Sequence, residues 1–191
     1  YHSPRKAKPV LVLLHGLGAG RGEWAAFAAT LAARGYGTLA LDARGHGESG
    51  GPPFTTFAAP ESWLLLERDL EAAISWLAKR GVPAERIVLA GASMGANIVL
   101  RTAAREPRIP FVVLLSAGYD YRGVRIEETA AGFTRPIVFA AAEEDPYAFR
   151  TAALLAPRAR HPESLFLKAA AGHGAGMLSG GPNAAFLEEL L

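Results

Sequence analysis

The sequence contains no cysteine, which excludes a disulfide framework, a thiolate metal site and a cysteine nucleophile. Long apolar runs are missing too: nothing approaches the roughly 18 residues of a membrane-spanning helix, so no transmembrane segment is expected. There is no block of one charge either. Twenty Lys and Arg against 18 Asp and Glu leave a net charge of +2, and the basic residues are scattered along the chain, which argues against nucleic acid as a partner. No repeat, low-complexity tract or linker divides the chain.

What is present is an ordinary globular balance, half hydrophobic over 191 residues, enough for a single domain 1–191 with a core of two or three layers. The chain opens on Tyr1 and a polar lead over 1–8 (His2, Ser3, Pro4, Arg5, Lys6), a start compatible with a mature or trimmed form whose signal segment has been removed. A soluble protein is expected, but cytoplasmic and exported locations are not distinguished, and oligomeric state is not legible.

Short runs rich in Val, Leu and Ile recur at Val10–Leu14, Gly37–Leu41, Ile87–Ala90, Phe111–Leu115, Pro136–Ala140 and Leu165–Leu167. Each is apolar at successive positions, as a strand covered on both faces requires. Helical patterns lie between them. Trp24, Phe27 and Leu31 recur at three- and four-residue steps before Gly35. Glu61–Arg80 places Trp63, Leu66, Leu70, Ile74 and Leu77 on one stripe. A third helix is predicted from Met94 to about Arg105, stopping before Pro107, and Asn183 is positioned to cap a closing helix through Leu191. The alternation predicts an α/β fold: a three-layer α/β/α sandwich with a mostly parallel sheet of about six strands. Ligands of such sheets bind beyond the carboxyl ends of the strands, so chemistry is sought there.

The third strand runs into Gly91-Ala92-Ser93-Met94-Gly95, a G-x-S-x-G elbow in which a strand becomes a helix with almost nothing between. Small neighbours permit such a turn, and the serine is lifted onto a helix N-terminus, where a developing anion is favoured. A glycine-rich turn of this kind also suits phosphate binding or tight packing, but neither phosphate-loop pattern is present. A serine nucleophile needs a base and an acid. Of the five histidines, His2 and His161 read as surface residues, and His15 and His46 sit in glycine loops with other duties, His15 as a loop tether. His173 follows the last strand between two glycines and is the preferred base. Asp145, after the preceding strand, is the preferred acid, with Asp120, Glu143 and Glu144 as rivals. The backbone amides of Leu17, in "HGLG" after the first strand, and Met94 are the expected oxyanion donors.

Together these residues resemble the α/β-hydrolase superfamily over nearly the whole chain, with nucleophile, acid and base in the order Ser93, Asp145, His173. "DARGHGESG", residues 42–50, matches a loop common after the second strand in that family, which implies that Arg44, His46 and Ser49 brace the rim. The resemblance is to minimal serine esterases and lipases, or to dienelactone hydrolase-like proteins without their cysteine. The connection from Leu115 to Pro136 has no room for a helical lid, which implies an open site. The implied activity is hydrolysis of small or exposed carboxylic esters, with no cofactor and no metal. Thioester, lactone and peptide cleavage use the same constellation, and a non-catalytic binding protein is the alternative of another class. A dehalogenase or epoxide hydrolase would be expected to carry Asp at position 93. Pocket lining is expected from Trp24, Tyr119, Tyr121, Arg122, Phe133 and Met177, with Leu17 at the rim and Arg122 or Arg125 available to an anionic substrate.

Overall fold

A computed structural model describes residues 1–5, 8–179 and 181–190. The chain runs β1 (Val10–Leu14), α1 (Ala25–Ala33), β2 (Gly37–Leu41), α2 (Pro60–Leu64), α3 (Leu66–Ala78), β3 (Ile87–Ala92), α4 (Met94–Arg105) and β4 (Val112–Leu115). A two-stranded hairpin of β5 (Asp120–Tyr121) and β6 (Val124–Arg125) comes next, then α5 (Glu127–Gly132), β7 (Ile137–Ala142), α6 (Pro146–Leu155), β8 (Leu165–Ala169) and α7 (Ala184–Leu190). Six strands form one sheet in the order β2-β1-β3-β4-β7-β8, and every pairing within it is parallel.

The apolar runs become strands because the sheet is covered on both faces, and alternate residues serve opposite layers. Val12, Leu14, Leu89, Val112, Leu114 and Phe139 pack with Leu70, Ile74 and Leu77 of α3 and Ile98 of α4. Leu13, Val88, Ala90, Val113 and Ala140 face Phe27 and Leu31 of α1 and Phe186 of α7. The chain leaves β1 towards β2 on one side and builds β3, β4, β7 and β8 on the other. A topological switch point therefore lies between β1 and β3, the place where an open α/β sheet offers its crevice.

Two expectations require correction. The helix expected over Glu61–Arg80 is two, α2 and α3, joined at Leu65, where the Arg68 amide bonds back three residues to the Leu65 carbonyl and tightens the turn. Asn183 does not spend its side chain on capping α7. Its Oδ1 accepts the amides of Ala170 and Ala171 and its Nδ2 donates to the Ala171 carbonyl, tying down the segment after β8. The polar lead also takes part in the fold: His2 and Thr38 exchange backbone hydrogen bonds of 2.8 and 3.0 Å in an antiparallel bridge that covers the free edge of β2. Lys6 and Leu191 lie outside the described residues.

Candidate active site

Every residue from 87 to 100 is buried except Ser93, which is half buried. Ser93 has φ 52° and ψ −119°, a left-handed conformation that costs a non-glycine residue on the order of 1–3 kcal/mol. It caps the N-terminal end of α4 without using its side chain to do so, which leaves the hydroxyl for other work. The flanking glycines are steric requirements. A Cβ on Gly95 would lie 2.5 Å from the carbonyl oxygens of both Leu14 and His15, and one on Gly91 would collide with the Gly95 carbonyl.

The end of β8 brings in His173 and the end of β7 brings in Asp145. His173 Nδ1 lies 2.6 Å from Asp145 Oδ2. With Nδ1 as donor to the carboxylate, Nε2 is the basic nitrogen. Asp145 is held in turn as the N-cap of α6, its Oδ1 accepting the Ala148 amide. The loop carrying His173 is seated on the serine elbow. A Cβ on Gly174 would lie 3.1 Å from Ala92 Cβ and 3.9 Å from the Ser93 nitrogen, and the Gly174 amide donates to Ser116 Oγ at 2.9 Å.

The rival acids are occupied elsewhere. Asp120 accepts from Arg125 Nε (2.8 Å) and from the Gly123 amide (2.6 Å), and the Arg125 guanidinium holds its carboxyl below the usual range. Glu144 accepts the Gly172 amide at 2.5 Å, steadying the chain next to His173, and Glu143 is exposed.

Opposite the histidine loop, β1 ends in His15-Gly16-Leu17-Gly18. His15 Nε2 accepts the Ala43 amide (3.0 Å) and its Nδ1 donates to the Gly16 carbonyl (2.7 Å), so the ring tethers this loop to the one after β2. Burial lowers its pKa and keeps it neutral, as that pair of bonds requires. Sequence reasoning missed Glu23, whose Oε1 accepts the Gly16 amide at 3.0 Å and so orients the peptide before Leu17. Although the residue as a whole is exposed, partial desolvation of its carboxylate raises its pKa, against the lowering effects of the Gly16 amide and of His173. No acceptor among the described residues takes the Leu17 amide, and the Met94 amide opens α4, where no intrahelical acceptor exists. The 42–50 loop is braced as the resemblance implied. Arg44 clasps Asp69 through Nε and Nη2, His46 Nδ1 donates to the Arg44 carbonyl, and Ser49 Oγ donates to the Asp42 carbonyl.

The expected pocket is largely revised. Trp24, Phe133 and Met177 are buried core residues, Trp24 and Met177 on the α1 side of the sheet and Phe133 on the other, beneath the Arg135 guanidinium. Tyr119 turns its hydroxyl to Glu127. Arg122 is exposed and forms, with Gly123, the turn between β5 and β6; both have positive φ, 55° and 83°, the pattern of a type I′ hairpin. Arg125 is committed to Asp120. Tyr121 turns its half-buried phenol to the backbone beside the elbow, donating to the Ser116 carbonyl at 3.1 Å. Burial pushes this phenol up to about 12. Leu17, 40% exposed, and Tyr147, 45% exposed, flank the opening. Asn97, on the buried face of α4, was also missed; the one polar residue in the apolar stretch "ANIVL" was the available signal.

A parallel sheet whose switch point carries a strained serine between glycines, with an aspartate-held histidine on the loop packed against that elbow, is that of an α/β-hydrolase. Residues 5–136 match the Hydrolase_4 family (serine aminopeptidase, S33), and the chain belongs to that family. The quorum-quenching protein AidA of Acinetobacter baumannii is 36% identical over 109 residues, 56% of this chain and 34% of that protein. The chain spans about a third of the length of the curated relatives it matches. Among solved structures, the dienelactone hydrolase from Anabaena variabilis is similar over 98% of this chain and 85% of its own, with TM-score 0.77 and 18% identity. An esterase of Pyrococcus furiosus is similar over 96% of this chain and 78% of its own, with TM-score 0.76 and 20% identity. At such identities these likenesses concern the fold.

Proposed function

We propose that this hydrolase cleaves carboxylic esters through an acyl-enzyme, with Ser93 as nucleophile, His173 as general base and acid, and Asp145 as the group that orients the imidazole. The observation that carries this reading is the 2.6 Å contact from His173 Nδ1 to Asp145 on a loop that packs against the Ser93 elbow. Ser93 Oγ attacks the ester carbonyl as His173 takes its proton, and the carboxylate stabilises the resulting imidazolium. The amides of Leu17 and Met94 receive the oxyanion, each such donor typically being worth about 10²–10³ in rate. His173 then protonates the departing alcohol, and a water activated by the same nitrogen hydrolyses the acyl-serine. The loop orders that support this, β1 to the Leu17 side and β7 and β8 to the histidine side, come from the strand sequence.

Substrate size is argued from what covers the site. The connection after β4 is a two-residue-turn hairpin and one short helix, and His173 and Leu17 are both exposed. Small or exposed esters reach such a serine more readily than a long chain needing an enclosed tunnel. The test is a p-nitrophenyl ester series of increasing chain length with the parent and Ser93→Ala, together with fluorophosphonate labelling. Turnover is expected to fall with chain length and to vanish in the variant; turnover retained by Ser93→Ala would remove Ser93 from the mechanism.

A further inference from the structure

We propose that Glu23 is a positioning residue for the oxyanion site: as a hydrogen-bond acceptor rather than as a charge, it holds Gly16 so that the Leu17 amide stays turned towards Ser93. The proposal rests on the acyl-enzyme reading above, in which that amide receives the oxyanion.

The direction of the Leu17 N–H follows from the sheet order. β2 and β3 lie on opposite sides of β1, so Ala43, beyond the end of β2, and Ser93, beyond the end of β3, flank the loop that leaves β1. His15 Nε2 accepts the Ala43 amide, which draws its ring to the β2 side, and Nδ1 of the same ring donates to the Gly16 carbonyl at 2.7 Å. That carbonyl therefore faces β2. The Gly16–Leu17 peptide is trans, so its N–H points the opposite way, towards β3 and Ser93. The backbone is close to the elbow here: a Cβ on Gly16 would lie 3.4 Å from Ser93 Cβ and 3.6 Å from the Ala92 carbonyl oxygen.

Residue 16 is a glycine, whose soft torsions let the peptide swing unless something holds it. The bonds at its carbonyl, from His15 and from the Ala19 amide (3.2 Å), come from within the same loop. Glu23 supplies an anchor from outside it. Its Oε1 accepts the Gly16 amide at 3.0 Å, so the peptides on both sides of the Gly16 Cα are held. The anchor is itself fixed. Glu23 belongs to the turn Arg21–Trp24 that leads into α1, its own amide bonds to the Gly20 carbonyl at 3.1 Å, and the next residue, Trp24, is fully buried. The same turn packs against Gly174–Leu178, the segment that follows His173, so the anchor is shared by the loops on both sides of Ser93. Nothing in this arrangement uses the negative charge, which is unfavourable beside a forming oxyanion.

A thiocarbonyl sulfur accepts amide hydrogen bonds poorly, so a thiono ester depends little on the oxyanion donors. With p-nitrophenyl acetate, Glu23→Ala is expected to lower kcat by about tenfold and to leave KM within about twofold, a fraction of the effect of removing a donor outright. With the thiono analogue, in which C=S replaces C=O, the same variant is expected to stay within about threefold of the parent, so the oxygen-to-sulfur rate ratio falls. Glu23→Gln keeps an acceptor for the Gly16 amide and is expected to restore both kcat and the ratio. Loss of both substrates together, an unchanged ratio, or Glu23→Gln as impaired as Glu23→Ala overturns the proposal. Absence of fluorophosphonate labelling in the parent would instead overturn the Ser93 reading beneath it.

Discussion

Two adjacent strands of the sheet end in the same way and do different things. β3 is followed directly by Ser93 with φ 52° and β4 by Ser116 with φ 53°, and each serine is followed two residues later by a glycine. The two are joined through the sheet, the Ser93 amide bonding to the carbonyl of Leu115, the residue before Ser116. Yet Ser116 is fully buried, its hydroxyl receives the Gly174 amide and its carbonyl receives the Tyr121 phenol, whereas Ser93 is half buried at the mouth of α4. Backbone strain therefore does not by itself mark a nucleophile. The chain beyond each serine separates the pair: a helix N-terminus presents one hydroxyl to the crevice, and a loop folds over the other and uses it as a fastening.

The comparison breaks if both serines behave alike. Ser93→Ala is expected to lower kcat/KM for p-nitrophenyl acetate by about 10⁴-fold or more, and Ser116→Ala by no more than about tenfold, since it loses only a support of the histidine loop. Next in size is the response of the two glycines. At Gly95 an added methyl meets fixed backbone oxygens, so Gly95→Ala should cost about 3 kcal/mol or more in urea unfolding. At Gly118 the same methyl meets the rings of Tyr121 and Tyr147 at 2.5–2.7 Å, which can yield, so Gly118→Ala should cost about 1–2 kcal/mol and raise KM by moving Tyr121.

A smaller effect sharpens the difference in sign. Ser93→Gly relieves the strained φ and loses no structural hydrogen bond, so stability should rise by about 1 kcal/mol as activity is abolished. Ser116→Gly should show no such gain, because the Gly174 amide loses its acceptor at a cost of about 1 kcal/mol. The smallest effect lies in pH. The folded pKa of Tyr121 is raised to about 12, above its unfolded value, so its contribution is fully present below that unfolded value and is lost as pH rises towards 12. The parent should lose less than about 1 kcal/mol from this source near pH 11, allowing for solvent around a half-buried ring, and Tyr121→Phe should flatten that slope in thermal melts.

Much of the architecture is legible in the sequence. Val10–Leu14, Gly37–Leu41 and Met94–Arg105 have the same bounds in sequence and structure, because an apolar run between two helical layers and a helix stopped by Pro107 are decided within a few residues. The elbow is legible for the same reason: Gly91 and Gly95 report a steric demand local to the turn. Leu65 is not, since nothing in a continuous apolar stripe announces a tightened turn. The pocket is the least legible part, with Trp24 and Met177 sunk beneath the sheet and Arg122 spent on a hairpin.

The sequence by itself determined a strand-helix alternation and a serine forced upright between glycines, because period and local sterics act over neighbouring residues and need no distant partner. Which aspartate meets His173 was decided by tertiary structure alone. Asp120 and Asp145 both come after a strand, and only the fold gives Arg125 to the first and the imidazole to the second. The same holds for Tyr121, one of five tyrosines until Asn97 fixes the segment that carries it. Hydrogen bonds across 21 or 28 positions depend on where loops come to rest, and that is settled by packing rather than by any pattern along the chain.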